Sequence, residues 1–543
     1  MVKYIITTGG VISGVGKGII TSSLGLLLKT CQQKITIIKI DPYVNVDAGT
    51  INPLDHGEVF VLQDGSEVDL DLGNYERFLD TNLTRDNCIT TGKVYKKVIE
   101  NERKGDYLGK TVQVIPHVTN VILDMITSVS KDVDVCLIEV GGTVGDIESL
   151  PFLEALRQLR FKVGHENFNL LHVSLVPCVN NEQKSKPTQS SVKTLGSLGL
   201  NPDLILCRSQ DILDETIREK VSMFCNIPLK SVLSVMDCKT IYQVPKLLTN
   251  QGILDLLGFS KDKNNFDCNN FDYWDTFVDN VLDKSRKSIK IGIFGKYIVN
   301  KNSGGNDNIG NGGNDDAYIS LKKAIEHACF YLNVTPDIHF IDCSSIKHKS
   351  ELDNYFLQFN GIIVPGGFGT RGTNDKIDII QNARRLKIPF IGICLGFQLA
   401  VIEFANNVCK MDTSSDEFIA KKDNIIIDIP EHKSESMGGT MKLGNYTTCI
   451  SKNTLAFDVY QQDEIVERHR HRFEVDTKWN ELLQNNGMIF SGTQKENGRM
   501  HILELDKALH PFFIATQFHP EFKTRPLKPT PLFVKFIESC NKK

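Results

Sequence analysis

The sequence predicts an α/β protein of two doubly wound domains, each built on a mostly parallel sheet. Three observations carry this. Short β-branched runs alternate with helical stretches, several runs end in glycine, and the rhythm breaks once in a polar stretch before it resumes. At 543 residues, 41% hydrophobic and 24% charged, the chain is too long for one core.

The first series of runs is YIIT (4–7), ITIIKI (35–40), DVCLIEV (134–140), LLHVSLV (170–176), LILC (204–207) and SVLSVM (231–236). Buried strands alternating with helices imply a parallel sheet covered on both faces. This series defines an N-terminal domain over residues 1–265. The Asn-rich stretch KDKNNFDCNNFDYWDTFVDN, helical toward its end, reads as a linker over 266–288. A second domain over 289–543 opens with KIGIFGKY (290–297), followed by a helix near 316–332, DIHFID (337–342), GIIVPGG (361–367) and PFIGICLG (389–396). Residues 300–314 contain six Asn and five Gly, a composition that cannot bury enough apolar surface to order, so a disordered insertion is expected there.

A formal net charge of -4 gives no general attraction to nucleic acid or anionic lipid, and neither is expected as a partner. The 14 cysteines show no CxxC pair, and several lie in apolar runs, which suggests reduced, buried thiols. The N-terminus runs straight into KYIITT and a glycine loop, without the features of a signal peptide. No apolar run approaches the roughly 18 residues of a membrane span. A cytoplasmic location is the expectation.

In PFIGICLGFQLA an apolar strand ends at Gly392-Ile393-Cys394-Leu395-Gly396, and an apolar-faced helix follows at once. This is the GxCxG analogue of a nucleophile elbow, in which glycines relieve a sharp turn and the new helix N-terminus favours a thiolate. A buried structural cysteine after a strand is the plainer alternative. Gly366 and Gly367 end another strand, where backbone N–H groups without a neighbouring Cβ suit an oxyanion, although such pairs are also ordinary turns. In FFIATQFHPEF, His519 and Glu521 are two apart in an extended segment, so the carboxylate can orient the imidazole. An isolated His-Pro-Glu is more often just a turn.

In the N-terminal half, TTGGVISGVGKGIITSS places a glycine loop between a strand and a helix, with Lys17 as a phosphate ligand. Five residues separate Gly10 from Gly16, and Gly18 replaces the usual Ser or Thr, so a magnesium ion needs other oxygen ligands. Asp71 in EVDLDLG and Glu139 at the end of DVCLIEV are the candidates. Asp71 reads equally as part of a solvated acidic loop, whereas Glu139 ends an apolar strand where such folds bind ligands. Lys184, Lys186, Thr188 and Gln189 follow another strand and suit a triphosphate or, equally, a solvated loop.

GGFG, GxCLGxQ and QFHPE, in this order, resemble the class I glutamine amidotransferases. GGVISGVGKG, KIDPYVNVDAGTINPLDHGEVFVLQDGSEVDLDLGNYERF, EVGGTVGDIES, KSKPTQ and RHRHRFEV resemble the CTP synthase family over almost the whole chain, interrupted mainly at 300–314 and in the 260s. The resemblance implies a P-loop-like synthetase domain joined to a glutamine amidotransferase domain. Together these make CTP from UTP, ATP and glutamine, the last step of de novo CTP synthesis, through a UTP phosphorylated at O4 and ammonia passed along an internal channel.

Carried over residue by residue, the resemblance makes Cys394 the nucleophile, His519 its proton shuttle and Glu521 the residue that holds His519. The amides of Gly367 and Leu395 form the oxyanion site, and Gly367, Gln398, Glu417 and Arg472 bind glutamine. ATP falls to Gly14, Val15, Gly16, Lys17, Gly18, Ile19, Lys39, Asp71, Arg208 and Asp237, with Mg2+ on Asp71 and Glu139. UTP, and CTP as feedback inhibitor, fall to Ser13, Asp146, Ile147, Glu148, Lys186, Pro187, Thr188, Gln189 and Lys220. GTP, the family's activator, falls near Phe368, Arg371 and a lid at MGGTMKLG with Gly438 and Gly439. Family members form nucleotide-promoted homotetramers and often filaments.

The alternation of RHRHR, read as a strand, sends Arg468, Arg470 and Arg472 to one face and His469 and His471 to the other. A nucleic-acid patch is disfavoured by the lack of interleaved aromatics. Two other functions compete: an ATP-dependent amidoligase acting on a carboxylate, such as a cobyrinic acid amidase, and a P-loop ATPase that partitions or polymerises and carries a dead glutaminase. The intact Cys394, His519 and Glu521 argue against the latter.

Overall fold

The computed structural model describes residues 2–259, 269–298, 315–346, 352–418, 424–429 and 441–542. The 300–314 insertion and the lid glycines Gly438 and Gly439 lie outside the described residues. The chain divides into two compact units, Met1–Ala48 with Asp71–Leu282, and Gly49–Leu70 with Asp283–Lys543.

In unit 1 the strands are β1 (Lys3–Gly10), β2 (Ile35–Asp41), β3 (Cys88–Thr90), β4 (Val135–Val140), β5 (Phe168–Leu175), β6 (Leu204–Ser209) and β7 (Val232–Met236). They form one sheet in the order β7-β6-β5-β1-β4-β2-β3, with every pairing parallel. Consecutive residues of β1 and β4 are buried, as expected of strands covered on both faces. The chain leaves β1 toward β2 and later returns to its other side at β5. Ligand sites of such folds lie at this reversal, outside the C-terminal strand ends. Helices α1 (Lys17–Thr30), α2 (Leu70–Leu79) and α3 (Lys186–Ser197) start near those ends.

The 266–288 stretch, read as a linker, contains the helix Asn269–Leu282, which belongs to unit 1. Trp274 is buried, packs against Phe78, Tyr242 and Phe277, and donates its indole N–H to the Tyr242 carbonyl at 2.9 Å. The helix expected toward the end of the stretch is amphipathic, and its aromatic face packs it into unit 1 in place of a free linker.

Unit 2 contains β8 (Ser288–Gly295), β9 (Thr335–Asp342), β10 (Gly361–Val364), β11 (Phe390–Ile393), β12 (Lys442–Ile450), β13 (Glu464–His471), β14 (Met488–Gln494), β15 (Met500–Leu505) and β16 (Phe513–Thr516). The order is β9-β8-β10-β11-β16-β15-β14-β12-β13, parallel from β9 to β16 and antiparallel beyond. Around it lie α4 (Ile319–Tyr331), α5 (Thr373–Arg385) and α6 (Leu395–Asn407). The first eleven residues of α6 are all buried, so its N-terminus is held from every side.

Residues 49–70, placed by sequence in the N-terminal domain, pack within unit 2. Glu58 accepts from the Ser320 N–H at 3.2 Å and from its hydroxyl, capping the first turn of α4. Arg468 donates to the Val61 carbonyl at 3.0 Å, and Arg470 pairs with Glu67 at 2.8 Å. These contacts join residues 262 to 407 positions apart, and no local pattern announces them.

Candidate functional site

In unit 2, β10, β11 and β16 are adjacent and parallel, so their C-terminal ends meet at one edge. The Pro365–Gly369 loop follows β10, Cys394 follows β11, and His519 follows β16. Cys394 has φ 54 and ψ -101, a strained conformation for a residue with a side chain, and it caps α6. The glycines beside it permit the close approach. A Cβ on Gly396 would lie 2.0 Å from the Val364 carbonyl oxygen, and one on Gly392 would lie 2.8 Å from that of Gly396.

His519 Nδ1 is 2.7 Å from Glu521 Oε1, and its ring stacks on Phe522. Burial opposes charge on His519, but Glu521 and then Cys394 outweigh it and push its pKa up to about 10. Among the described residues no hydrogen-bond partner meets its Nε2 in good geometry, and the Cys394 thiol donates to the Arg470 carbonyl at 3.5 Å. Gly366 packs between the two groups. A Cβ there would stand 3.1 Å from His519 Cε1 and 3.5 Å from Cys394 Cβ. Gly366, Gly367 and Phe368 line the same pocket as Cys394, His519 and Glu521, and Pro53, Glu58 and Val59 supply another wall.

Two buried lysines, not identified from sequence, hold this loop. Lys296 donates to the carbonyls of Phe368 (2.9 Å) and Gly369 (2.7 Å), and Lys376 donates to that of Pro365 (3.1 Å). In a trans peptide the C=O and N–H point in opposite directions. With the Phe368 carbonyl on Lys296, the Gly369 N–H accordingly points to Glu417, at 2.6 Å. Burial raises the Glu417 pKa. Gln398 donates to the Phe473 carbonyl at 2.8 Å, and Arg472 is close enough to Glu417 to act on it electrostatically. The Leu395 N–H, in the first turn of α6, is among the helix amides without an intrahelical partner. Arg371 is exposed, and the Phe368 ring lies under the Arg470 guanidinium at 4.9 Å. Lys296 was discoverable, because it follows directly on an apolar strand, much as Glu139 lies at the end of one. Lys376, inside an ordinary amphipathic helix, carried no such signal.

In unit 1, Lys17, Lys39, Asp71 and Glu139 come together. Lys39 is fully enclosed by carboxylates, donating to Glu139 at 3.0 Å and to Asp71, with Asp41 at 3.7 Å. Burial opposes its charge, yet Asp71, Glu139 and Asp41 outweigh that and raise its pKa. Burial likewise raises the pKa of Glu139, which also accepts from the Tyr75 hydroxyl. A Cβ on Gly18 would fall 2.3 Å from Asp71 Oδ1 and 3.5 Å from Glu139 Oε2. The missing Ser or Thr at position 18 is thus the space that Asp71 fills. A buried carboxylate, Glu139, and a half-buried one, Asp71, converging beside a helix N-terminus suit a hard divalent cation, whose charge would relieve their crowding. The glycine loop adopts left-handed backbone at Gly14 and Gly16, and at Val11 as well. Lys17 folds over Gly9 onto the Gly142 carbonyl at 2.8 Å.

Arg208 pairs with Asp237 at 3.0 Å and donates to the Gly14 carbonyl at 2.9 Å, which joins these two residues to the glycine loop. Thr188 is fully buried, and Gln189 donates to Ser185 at 3.1 Å. Ser13, Asp146, Ile147, Glu148, Lys186 and Lys220 are exposed, with Asp146 turned back to accept from the Thr143 N–H at 2.7 Å. Among the described residues no helix is long and apolar enough to cross a membrane.

The family described as CTP synthase N-terminus matches residues 3–259, and Glutamine amidotransferase class-I matches residues 315–539. The chain is 47% identical to human CTP synthase 1 over 558 residues, covering 97% of this chain and 91% of that protein. It is 46% identical to Xenopus laevis CTP synthase 2 over 566 residues, covering 100% and 95%. Against the CTP synthase of Methanococcus maripaludis it is 46% identical over 552 residues, covering 100% of both.

Proposed function

The chain belongs to the CTP synthase family, as a glutamine-hydrolysing C–N ligase, and from that premise we propose how its residues divide the reaction. The observation that carries the proposal is the pairing, on one chain, of a Cys394–His519–Glu521 site with a Lys17–Lys39–Asp71–Glu139 site.

At the first site the thiol proton resides on His519, and Cys394 attacks the side-chain amide carbon of glutamine as the thiolate. The amides of Gly367 and Leu395 receive the oxyanion, while Gln398, Glu417 and Arg472 hold the α-amino and α-carboxylate groups. Collapse of the tetrahedral adduct breaks the C–N bond, and His519 returns its proton to the departing ammonia. Water then cleaves the thioester to glutamate, with Glu521 keeping the imidazole oriented throughout.

At the second site Lys17 and Lys39 draw charge from the ATP phosphates, and Arg208 and Asp237 hold the base. Ser13, the Asp146–Glu148 segment, Lys186–Gln189 and Lys220 take UTP. Mg2+ on Asp71 and Glu139 supplies neutralisation of phosphate charge when bound. The UTP O4 attacks the γ-phosphorus, the bond to the β,γ-bridging oxygen breaks and ADP leaves, which turns O4, a poor leaving group, into phosphate. Ammonia then adds at C4, and phosphate departs to leave CTP. CTP competes at the UTP residues. GTP acts near Phe368 and Arg371, adjoining the loop that presents Gly367. A homotetramer completes the proposal.

Purified protein with ATP, magnesium and glutamine, with and without UTP, should form CTP and glutamate in a UTP-dependent manner. Absence of UTP-dependent CTP would overturn the reading.

A further inference from the structure

Beneath the second site, strand β5 and helix α3 meet through polar groups where a sheet and a helix ordinarily meet through apolar ones. His172 and Ser174, two apart on β5, point to one face of the sheet. Ser191 and Thr188, three apart on α3, point to one face of the helix. The two spacings match: His172 Nε2 lies 2.9 Å from Ser191 Oγ, and Ser174 Oγ donates to Thr188 Oγ1 at 2.9 Å. His172, Ser174 and Thr188 have no exposed surface. On its other side His172 Nδ1 is 3.0 Å from the Thr8 hydroxyl of β1, its directly paired residue.

This network settles the tautomer. Thr8 donates to the Leu171 carbonyl at 3.2 Å, so it accepts from His172 Nδ1–H. The lone pair on Nε2 then receives the Ser191 proton. Burial, and then Lys17, push the His172 pKa down to about 4, which keeps the ring neutral and able to play both parts at neutral pH. The seam also reaches the glycine loop. A Cβ on Gly10 would lie 1.7 Å from Ser191 Oγ and 2.8 Å from His172 Nε2, so the backbone entering the loop rests directly on the pair.

We propose that His172 is a positioning residue for the pyrimidine nucleotide. Through Thr8 and Ser191 it fixes the register of α3 against β1, and so sets the N-terminal turn that carries Lys186, Thr188 and Gln189 relative to the glycine loop. A polar seam suits this task better than an apolar one, because hydrogen bonds fail over displacements that apolar packing absorbs. The proposal rests on the reading of that turn as a UTP site. It predicts that errors in the seam weaken UTP use more than ATP use, since the variants below only remove atoms beside Gly10 and press nothing on the glycine loop, while Lys39, Asp71 and Glu139 are held by other elements.

The test uses ammonia-dependent CTP synthesis by the full chain, with three variants. His172→Asn retains a group at the Nδ1 position and the Thr8 bond but stops short of Ser191. His172→Gln reaches the Nε2 position and keeps Ser191. Ser191→Ala removes only the hydroxyl and serves if His172→Asn fails to fold. The expected result is a KM for UTP raised about tenfold by His172→Asn and Ser191→Ala, the weight of one buried hydrogen bond. The KM for ATP should stay within about twofold, and His172→Gln should restore the KM for UTP to within about threefold. An unchanged KM for UTP in Ser191→Ala overturns the proposal, as does a parallel rise for ATP or a failure of Gln to rescue. If the wild-type chain makes no CTP from UTP and ammonia, it is the underlying reading of the site that fails.

Discussion

The Lys376 ammonium donates to the Pro365 carbonyl at 3.1 Å from a side chain with no exposed surface. Burial, more than any neighbouring charge, pushes the Lys376 pKa down to about 7. An unfolded lysine titrates near 10.4, so between about pH 7 and 10 the unfolded chain binds more protons than the folded one at this residue. The Lys376 contribution therefore makes stability rise with pH across that window, and the contribution is smallest below it. Lys376→Met should remove this slope. Melting temperatures of the two proteins, compared at pH 7 and pH 9.5, should differ in favour of the wild type at the higher pH. A difference that does not change with pH would refute the assignment.

Gly366→Ala should uncouple the triad without touching the synthetase residues. Its Cβ would press on His519 Cε1 at 3.1 Å, and displacement of the imidazole by a few tenths of an ångström to 1 Å should lower glutamine-dependent turnover by roughly 10–100-fold. Ammonia-dependent CTP formation should persist. Equal loss of both activities would mean that the substitution acts on folding instead.

Cys394→Ala should abolish synthesis from glutamine and retain synthesis from free ammonia, because only ammonia generation needs the thiolate. Glu521→Gln should lower the glutaminase rate while leaving the nucleophile in place, since an amide beside His519 Nδ1 no longer stabilises the imidazolium. If Cys394→Ala lost both nitrogen sources, the two half-reactions would be coupled in another way.

Glu139→Gln and Asp71→Asn should each reduce CTP formation by about 100-fold or more with either nitrogen source. Each should also weaken Mn2+ binding measured by electron paramagnetic resonance. Tyr75→Phe, which removes the hydroxyl that donates to Glu139, should weaken Mn2+ binding by about 10-fold. Unaltered Mn2+ affinity in all three variants would exclude these carboxylates as the metal site.

Features that depend on neighbours in the chain were legible in advance. Cys394 between Gly392 and Gly396, Glu139 at the end of an apolar strand, and the Gly18 vacancy in the glycine loop are local patterns, because a turn or a strand end is set by a few consecutive residues. The parallel strands were legible for the same reason. The antiparallel extension β12 to β15 was not, nor was the packing of the helix Asn269–Leu282 into unit 1, since polar residues on their exposed faces dilute the apolar signal.

The sequence by itself thus determined the two α/β halves, the candidate triad and the acidic and basic residues of the candidate phosphate site. Only the tertiary structure decided that residues 49–70 pack in unit 2, that Lys296 and Lys376 hold the Pro365–Gly369 loop, and that His172 joins β1 to α3. The physical reason is common to all three. A buried polar group must find a partner, and which partner it finds depends on the strand order and helix packing that bring distant residues within about 3 Å.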